Sequence, residues 1–276
     1  MPYEDRSTRQ PRTYLSNTRY MMAHLKCSMR WLAVAVLVGF VTGAAGEVRA
    51  VQKETSAEKA EHLRQQINPD LFRAWTFDKD QVGEVPKGFS VLTAGGQPGG
   101  VWKIETQPTA PSSPHVLSGA SHCAACLELL VAQEFQYEYP ELVIRIHQGA
   151  GAASGQAGVV FGMKDHKNFY ATVVDLSKKT IEIVRVIDGN ESVLGRAALK
   201  VKPVEWHTLR VQRNTIISKD VIQTFFDGQL ALSVQDQALG AGQVGLLIRG
   251  EASAYFDNFN ASPQYSSRPL SAPAAY

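Results

Sequence analysis

Short apolar runs separated by polar turns follow one another from Leu71 onward, and this pattern predicts β-strands. Gly158–Asp175 contains two apolar strands joined by a polar turn, and Glu141–Gln148 alternates apolar and polar residues. Asp227-Gly228 lies between two such runs and indicates a hairpin, because both residue types tolerate positive φ. About ten or more strands at this spacing predict an all-β, two-sheet antiparallel jelly-roll sandwich, although spacing alone does not separate it from an immunoglobulin-like sandwich.

Changes in amino-acid composition along the chain indicate the expected domain limits. Residues 71–261 form the sandwich, and residues 51–70 form a short helix and linker, since Glu54–Ile67 is rich in Glu, Lys, Ala and Gln and weakly amphipathic. The small residues of Gly149–Gly158 indicate a loop. The Pro-, Ser- and Ala-rich residues 262–276 are expected to be a disordered tail.

The N-terminal region has the layout of a secretory signal. Trp31–Ala45 is uncharged and apolar, follows a basic stretch and precedes small residues, so a signal peptide is expected within residues 1–50. The apolar run is shorter than the roughly 20 residues that span a bilayer as a helix. We therefore expect a secreted, periplasmic or cell-surface protein. The alternative is that the signal stays uncleaved as an anchor, and only in that case do we expect the protein to be attached to a membrane.

Charge is concentrated at the N-terminus. The formal net charge is +2 overall. Residues 1–30 carry six basic and two acidic residues, a net of +4, which leaves about −2 for the rest. This body offers no sign of the basic face that nucleic-acid binding requires. At 44% hydrophobic residues the chain has enough apolar material for a sizeable core.

Several motifs together resemble a known group of proteins. They are Trp75–Val91, Gly158–Asp175, Trp206–Asn214 with Phe225–Leu232, and Gly242–Ala261. In order and spacing they resemble bacterial secreted concanavalin A-like, laminin-G-like domains, including proteins similar to family-16 glycoside hydrolases and 3-keto-disaccharide hydrolases. The resemblance implies a jelly roll whose concave face binds sugar in many members and hydrolyses it in some. Many members carry an arginine where this chain has Ala171–Val174.

Sugar contact is predicted at the turn inside Gly158–Asp175. Polar groups and aromatic rings together suit a sugar, which has an apolar face and a rim of hydroxyls. The candidate carbohydrate-binding residues are Asp165, His166, Asn168, Phe169, Tyr170 and Trp102. The alternative is that the aromatic rings pack in the core and the polar residues form a turn, since only one of two consecutive strand residues faces inward.

Catalytic residues are not identified by the sequence. A glycosidase needs two carboxylates beside one bond, and laminarinase-type jelly rolls supply them in an E-x-D-x-x-E strand pattern that is absent here. We therefore expect an extracytoplasmic carbohydrate-binding domain without an identifiable catalytic pair. The alternatives are a hydrolase of the 3-keto-disaccharide type and a non-catalytic structural or adhesion module at the cell surface.

A structural calcium site is a further hypothesis. Asp78 and Asp80 follow the first strand, Asp257 lies in the last, and first and last strands are commonly neighbours in a sandwich. Three carboxylates are hard oxygen ligands, although Ca²⁺ takes six to eight. The alternative is that these aspartates cap turns. No cofactor is otherwise expected.

Cys123 and Cys126 form a CAAC motif preceded by His122 and His115. A local disulfide fits an oxidising compartment, and free loop thiols or a buried pair are alternatives. Two cysteines and two histidines would also match a zinc site. A redox role would need a thioredoxin-like βαβ setting, which the pattern lacks.

Overall fold

The computed structural model describes residues 68–96, 99–149, 156–201, 205–216 and 218–264, all within the second of two compact units, Ser56–Tyr276. A 3-10 helix, Pro69–Leu71, precedes the strands. Sheet A contains β1 (Arg73–Trp75), β3 (Gly100–Thr106), β4 (His115–Ser121), β6 (Pro140–Gln148), β11 (His207–Ile216), β12 (Lys219–Phe226), β13 (Gln229–Gln235) and β15 (Ala252–Pro263). Sheet B contains β2 (Phe89–Ala94), β5 (Leu127–Ala132), β7 (Gln156–Asp165), β8 (Asn168–Asp175), β9 (Thr180–Ile187), β10 (Asn190–Ala198) and β14 (Gln243–Arg249).

The two sheets have crossover topologies. Sheet A runs in the order β13-β12-β11-β6-β15-β4-β3, with β1 also paired to β15, and sheet B runs β10-β9-β8-β7-β14-β5-β2. The ladders between these strands are antiparallel. The Asp227-Gly228 hairpin has positive φ at both positions, as its sequence predicts. The predicted all-β, two-sheet antiparallel sandwich is thus confirmed.

The main core lies between the sheets and follows the strand alternation. On β8, Tyr170 and Val174 point inward to the core that both sheets share. Thr172 lies between them on the same side, and its hydroxyl is 3.4 Å from that of Thr224 on sheet A. Successive side chains of a strand point to opposite faces, so the residues between these three point away from sheet A.

Sheet B is also buried on its outward side. A second cluster of apolar side chains covers this side, and we call it the apolar face: Ala94, Leu129, Val131, Val160, Met163, Phe169, Ala171, Val173, Val184, Val186 and Leu247. Burial on both sides explains why strands such as GVVF and YATVV read as continuous apolar runs rather than alternating ones.

Two predicted limits are wrong by a few residues. β7 begins at Gln156, inside the predicted loop Gly149–Gly158, and β15 continues through Ser262 to Pro263. The predicted signal peptide and the helix at Glu54–Ile67 lie outside the described residues, as does the tail beyond residue 264. Within the described ranges, no helix has both the length and the apolar character needed to cross a membrane.

Candidate functional site

A polar cavity of about 510 Å³ lies on the outward side of sheet B, beside the apolar face. We call it the polar pocket. Its polar lining comes from five strands of sheet B and from two turns, and consists of Gln156, Asp175, Lys178, Thr180, Glu182, Arg196, Arg249 and Glu251.

Strand register brings these side chains together. Glu182 on β9 pairs with Arg196 on β10, and Asp175 on β8 pairs with Thr180 on β9. Gln156 on β7 pairs with Arg249 on β14. Directly paired residues share a face of the sheet. Polar positions far apart in sequence therefore form one cluster.

Glu182 is the electrostatic centre of the polar pocket. Its side chain is 5% exposed, and Oε1 accepts hydrogen bonds from Nε and Nη2 of Arg196, each at 2.7 Å. Its Oε2 lies 3.3 Å from Nη1 of Arg249. Charge-assisted bonds of this kind are shorter and stronger than neutral ones, so they fix the carboxylate and both guanidiniums.

Arg249 spans the outward side of sheet B. Besides Glu182, it donates to Gln156 Oε1 at 2.9 Å and to Glu191 Oε1 at 2.6 Å. Glu191 lies on β10, four strand spacings from β14, which is about 19 Å in a flat sheet. One arginine reaches a glutamate that far away only because sheet B curves, so this outward side is concave.

Asp175 forms the buried wall of the polar pocket. Its side chain is fully buried, and Oδ1 accepts a hydrogen bond from the backbone N–H of Lys178 at 2.8 Å. The Lys178 ammonium, which is 66% exposed, lies 3.3 Å from Oδ2. No described residue gives Oδ2 a hydrogen bond. The ion pair with Lys178 leaves Oδ2 able to accept a hydrogen bond, so this atom offers a position for a ligand hydroxyl or water.

A second cavity, of about 540 Å³, lies on the other side of Arg249. We call it the turn pocket. Its lining includes His166 and Lys167 of the β7–β8 turn, Gly189 and Glu191 of the β9–β10 hairpin, and the loop residues Gly95, Gly96, Ala124 and Ala125. Arg249 and Ala124 line both cavities, so the two pockets are neighbouring parts of one groove.

A disulfide between Cys123 and Cys126 shapes the rim of this groove. The backbone N–H of Gly250, next to Arg249, donates to Cys126 O at 3.0 Å. A Cβ on Gly96 would lie only 2.4 Å from Cys126 Sγ, so this position requires glycine. Two loops therefore pack on the Cys123–Cys126 turn. The disulfide itself excludes a zinc role for these two thiols.

The polar residues predicted to contact sugar have different positions. His166 lines the turn pocket. Asp165 accepts from the Lys167 N–H at 2.7 Å, and this hydrogen bond holds the pKa of its carboxyl below the ordinary value. Asn168 donates to Asp165 and accepts from the Asp188 N–H at 3.1 Å. Asp165 and Asn168 thus shape the turn that presents His166.

The predicted aromatic contacts are corrected by the structure. Tyr170 is fully buried between the sheets, where its ring stacks with Phe161 at 5.5 Å between centroids. Trp102 is 4% exposed and packs on Phe256 in the same core. Phe169 is fully buried in the apolar face. None of these three rings is accessible at the surface, because their packing contributes to the cores on either side of the strands.

The predicted calcium site is also wrong. Within the described ranges, no group of three or more His, Cys, Asp or Glu side chains could hold a metal ion. The three aspartates bind backbone instead: Asp78 accepts from His115 N, Asp80 from Lys87 N, and Asp257 from Ser112 N. Burial raises the pKa of Asp257, and the bonds from Ser112 oppose that rise.

Sequence reasoning missed the residues of the polar pocket. Glu182 and Arg249 each interrupt an otherwise apolar strand, TIEIVRVI and VGLLIR, and a charge within a buried strand was the available signal. The signal does not show which charges meet. Arg185, three residues from Glu182, points to the opposite side and binds Asp236. The register between neighbouring strands determines which charged side chains meet, and the pattern of a single strand does not reveal that register.

Comparison with known proteins shows the fold alone. No protein-family model and no curated protein matches the sequence. Among solved structures, the chain is similar to carbohydrate-binding module CBM66 from Bacillus subtilis, with a TM-score of 0.51 and 18% identity over 63% of this chain and 95% of that one. It is also similar to the cellulose induced protein Cip1, with a TM-score of 0.50 and 10% identity over 69% of this chain and 96% of that one.

Proposed function

We propose that this chain is an exported carbohydrate-binding domain and that its polar pocket binds a neutral sugar through hydroxyl groups. The observation that carries the proposal is Asp175 Oδ2, a buried pocket-lining acceptor that receives no hydrogen bond from any described residue. The concave sheet and the likeness of the fold to a protein named as a carbohydrate-binding module support it.

The charges of the polar pocket favour a neutral ligand. Its three cations, Lys178, Arg196 and Arg249, equal its three anions, Asp175, Glu182 and Glu251, in number. A sugar hydroxyl is both donor and acceptor, so a single hydroxyl can donate to Asp175 Oδ2 and accept from the Lys178 ammonium. A few fixed polar groups of this kind give orientation in a binding site.

Binding without hydrolysis is part of the proposal. A glycosidase needs one protonated carboxyl as general acid. Glu182 accepts hydrogen bonds from the guanidiniums of Arg196 and Arg249, which engage both of its oxygens. The Lys178 ammonium lies 3.3 Å from Oδ2 of Asp175. Both carboxylates are therefore engaged by cations within the polar pocket, an arrangement that suits the holding of a ligand.

Export is supported by two independent features. The N-terminal residues have the layout of a secretory signal. The Cys123–Cys126 disulfide fits an oxidising compartment, where such bonds persist.

Affinity electrophoresis of the full chain through gels containing neutral polysaccharides tests the proposal. Retardation on at least one neutral glycan is expected, with little dependence on salt. Lys178→Ala combined with Arg196→Ala should lower the affinity at least tenfold, since it removes two of the three cations of the polar pocket; both side chains are largely exposed. Arg210→Ala is the matched control, because Arg210 also pairs with a glutamate, Glu141, but on sheet A.

Three outcomes would overturn the proposal. They are no retardation on any glycan by the folded protein, equal losses in the pocket variant and the control, and retardation only on acidic glycans. Release of sugar from a 3-keto-glucoside by the wild-type chain, abolished by Asp175→Asn, would favour a hydrolase instead.

A further inference from the structure

Sheet A has side chains on its own outward side, away from the core between the sheets. On β15, Ala254 and Phe256 belong to that core, so Tyr255 between them points outward. On β6, the core residue Ile146 places the next residue, His147, on the same outward side. Tyr255 pairs directly with His147, and directly paired residues share a face. The two side chains are therefore neighbours on the outward side of sheet A.

Three rings form a row across the strands on this side. Trp206 directly precedes β11, and the residue after it, His207, pairs with Ile146 of β6, so Trp206 lies beside His147. The ring centroids of Trp206 and His147 are 5.3 Å apart, and those of His147 and Tyr255 are 6.2 Å apart. All three residues are partly exposed. We call Trp206, His147 and Tyr255 the aromatic row.

Arg145 holds one end of the aromatic row in place. It lies two residues before His147 on β6, which puts both side chains on the same side of the strand. Its Nη2 donates to the backbone oxygen of Trp206 at 3.1 Å, and its Nη1 donates to the hydroxyl of Thr208 at 3.3 Å. These bonds fix the segment that carries the Trp206 ring. A pre-formed surface of this kind has less to order when a ligand binds.

Polar groups continue the line of the row beyond Tyr255. Ser118 on β4 pairs with Tyr255 on one side and with Lys103 of β3 on the other. The Lys103 ammonium lies 2.9 Å from Oε1 of Glu105, and both side chains are partly exposed. A hydroxyl beside this pair can accept from the ammonium and donate to the carboxylate. The two charges are opposite, so this end of the row favours a neutral ligand.

The chemistry of the aromatic row suits sugar rings. Tyr and Trp side chains have a flat apolar body and a polar edge, and a sugar unit likewise has an apolar face and a rim of hydroxyls. The row alone is too small for a stable protein partner. An aromatic side chain buries about 150–250 Å² at most. These three rings are already partly buried, so together they fall well short of the roughly 800 Å² that each partner buries in a standard protein complex.

The tilt of the rings indicates which form of glycan fits. The plane of His147 is inclined by 45° to that of Trp206 and by 37° to that of Tyr255. Rings inclined in this way do not form the flat shelf that a crystalline polysaccharide surface would require. A single chain, whose units turn about their linkages, can follow them. Contact with all three rings takes several linked units, so a free monosaccharide would stack on one ring only.

We propose that the aromatic row is a second carbohydrate-binding surface, which stacks consecutive units of a single neutral glycan chain on Trp206, His147 and Tyr255. The polar pocket lies on the outward side of sheet B, on the opposite face of the sandwich. One domain then holds two separate chains. The row is formed by sheet A alone, so either surface can bind glycan if the other does not.

Calorimetric titration of the full chain with neutral hexasaccharides of glucose, xylose and mannose tests the second surface. In the chain that carries Lys178→Ala and Arg196→Ala, a weaker affinity for at least one hexasaccharide should remain. Adding Trp206→Ala and Tyr255→Ala should lower that affinity at least tenfold. Phe225→Ala is the matched control and should leave it unchanged. Phe225 is also a partly buried ring on sheet A, but its partner is Arg210, whose Cζ lies 4.9 Å from the ring centroid.

Fluorine NMR of the unsubstituted chain labelled with 5-fluorotryptophan gives a second readout, which decides the matter if the row variant does not fold. The Trp206 resonance, assigned with Trp206→Phe, should shift when the hexasaccharide is added, whereas that of the buried Trp102 should not.

Three outcomes would overturn the inference. They are an unshifted Trp206 resonance with every hexasaccharide, equal losses of affinity in the row variant and the Phe225→Ala control, and a row variant that loses self-association of the chain instead of glycan binding. If the pocket substitutions change nothing but the row substitutions lower the affinity, the polar pocket proposal fails and the aromatic row stands.

Discussion

The hydroxyl of Tyr170 on sheet B donates a hydrogen bond to Asp236, which directly follows β13 of sheet A. Asp236 also accepts from Arg185 of sheet B at 2.5 Å, and Tyr170 in turn accepts from the backbone N–H of Leu239 at 3.1 Å. One carboxylate thus joins two strands of sheet B to the connection that leads out of sheet A. This junction lies between the sheets, so polar bonds as well as apolar packing hold sheet A and sheet B together.

Tyr170→Phe should lower the free energy of unfolding by about 1–3 kcal/mol, because it leaves the buried Leu239 N–H without an acceptor and removes one donor from Asp236. Urea denaturation of both proteins measures the difference. Tyr255→Phe is the control, since Tyr255 is only partly buried on sheet A and should cost well under 1 kcal/mol. Equal midpoints for Tyr170→Phe and wild type would contradict the assigned role.

Stability should fall steeply in the alkaline range. Burial raises the pKa of both Tyr137 and Tyr170 from 10.0 to about 12. A raised pKa means that the folded state holds the proton more tightly than the unfolded state. The contribution of each tyrosine to the free energy of unfolding is therefore complete below pH 10 and is lost as the pH rises toward 12. Each tyrosine adds a slope of up to about 1.4 kcal/mol per pH unit in that window. Denaturation midpoints measured from pH 9 to 11.5 should fall less in the Tyr170→Phe variant, and an unchanged slope would count against this account.

The fold was predictable because each strand carries its own signal. Alternation in ELVIRIHQ and the Asp227-Gly228 turn act over a few residues, and the structure has a strand and a hairpin at those places. The start of β7 was not predictable in this way. Gln156 and Ala157 read as part of a small-residue loop, but they pair with Ile248 and Arg249 of a strand some ninety residues later. Pairing over that distance overrides local composition.

The candidate site was less predictable than the fold for the same reason. His166 was found because a polar turn is a local feature, and it lines the turn pocket. The sequence predicts a ligand contact at Phe169 and Tyr170 because a sheet normally has one solvated face, but both sides of β8 are buried. Arg249 and Glu191 lie 58 residues apart, and only the curvature of sheet B brings their charges into contact.

Gly158→Ala should be among the most damaging small substitutions in the chain. A Cβ at this position would lie 1.9 Å from the backbone oxygen of Thr172 on the neighbouring strand, which has no room to move within the sheet. We expect a loss of about 3 kcal/mol or complete failure to fold. Gly240→Ala is the matched control, because a Cβ there would meet no atom within 4 Å and the φ of Gly240 is not positive, so it should be neutral or slightly stabilising. Similar melting temperatures for the two variants would contradict this prediction.

Reduction of the Cys123–Cys126 disulfide should loosen the groove more than it weakens the domain. The cysteines are only three residues apart, so the crosslink stabilises the fold by about 2 kcal/mol at most. Ala124 between them lines both pockets, and the Cys126 carbonyl holds Gly250 next to Arg249. Treatment with a reductant should therefore lower glycan affinity severalfold while the sandwich stays folded by circular dichroism, and reoxidation should restore it. Thiol labelling confirms that both sulfurs are free. Unchanged affinity in the fully reduced protein would show that the disulfide does not position the rim.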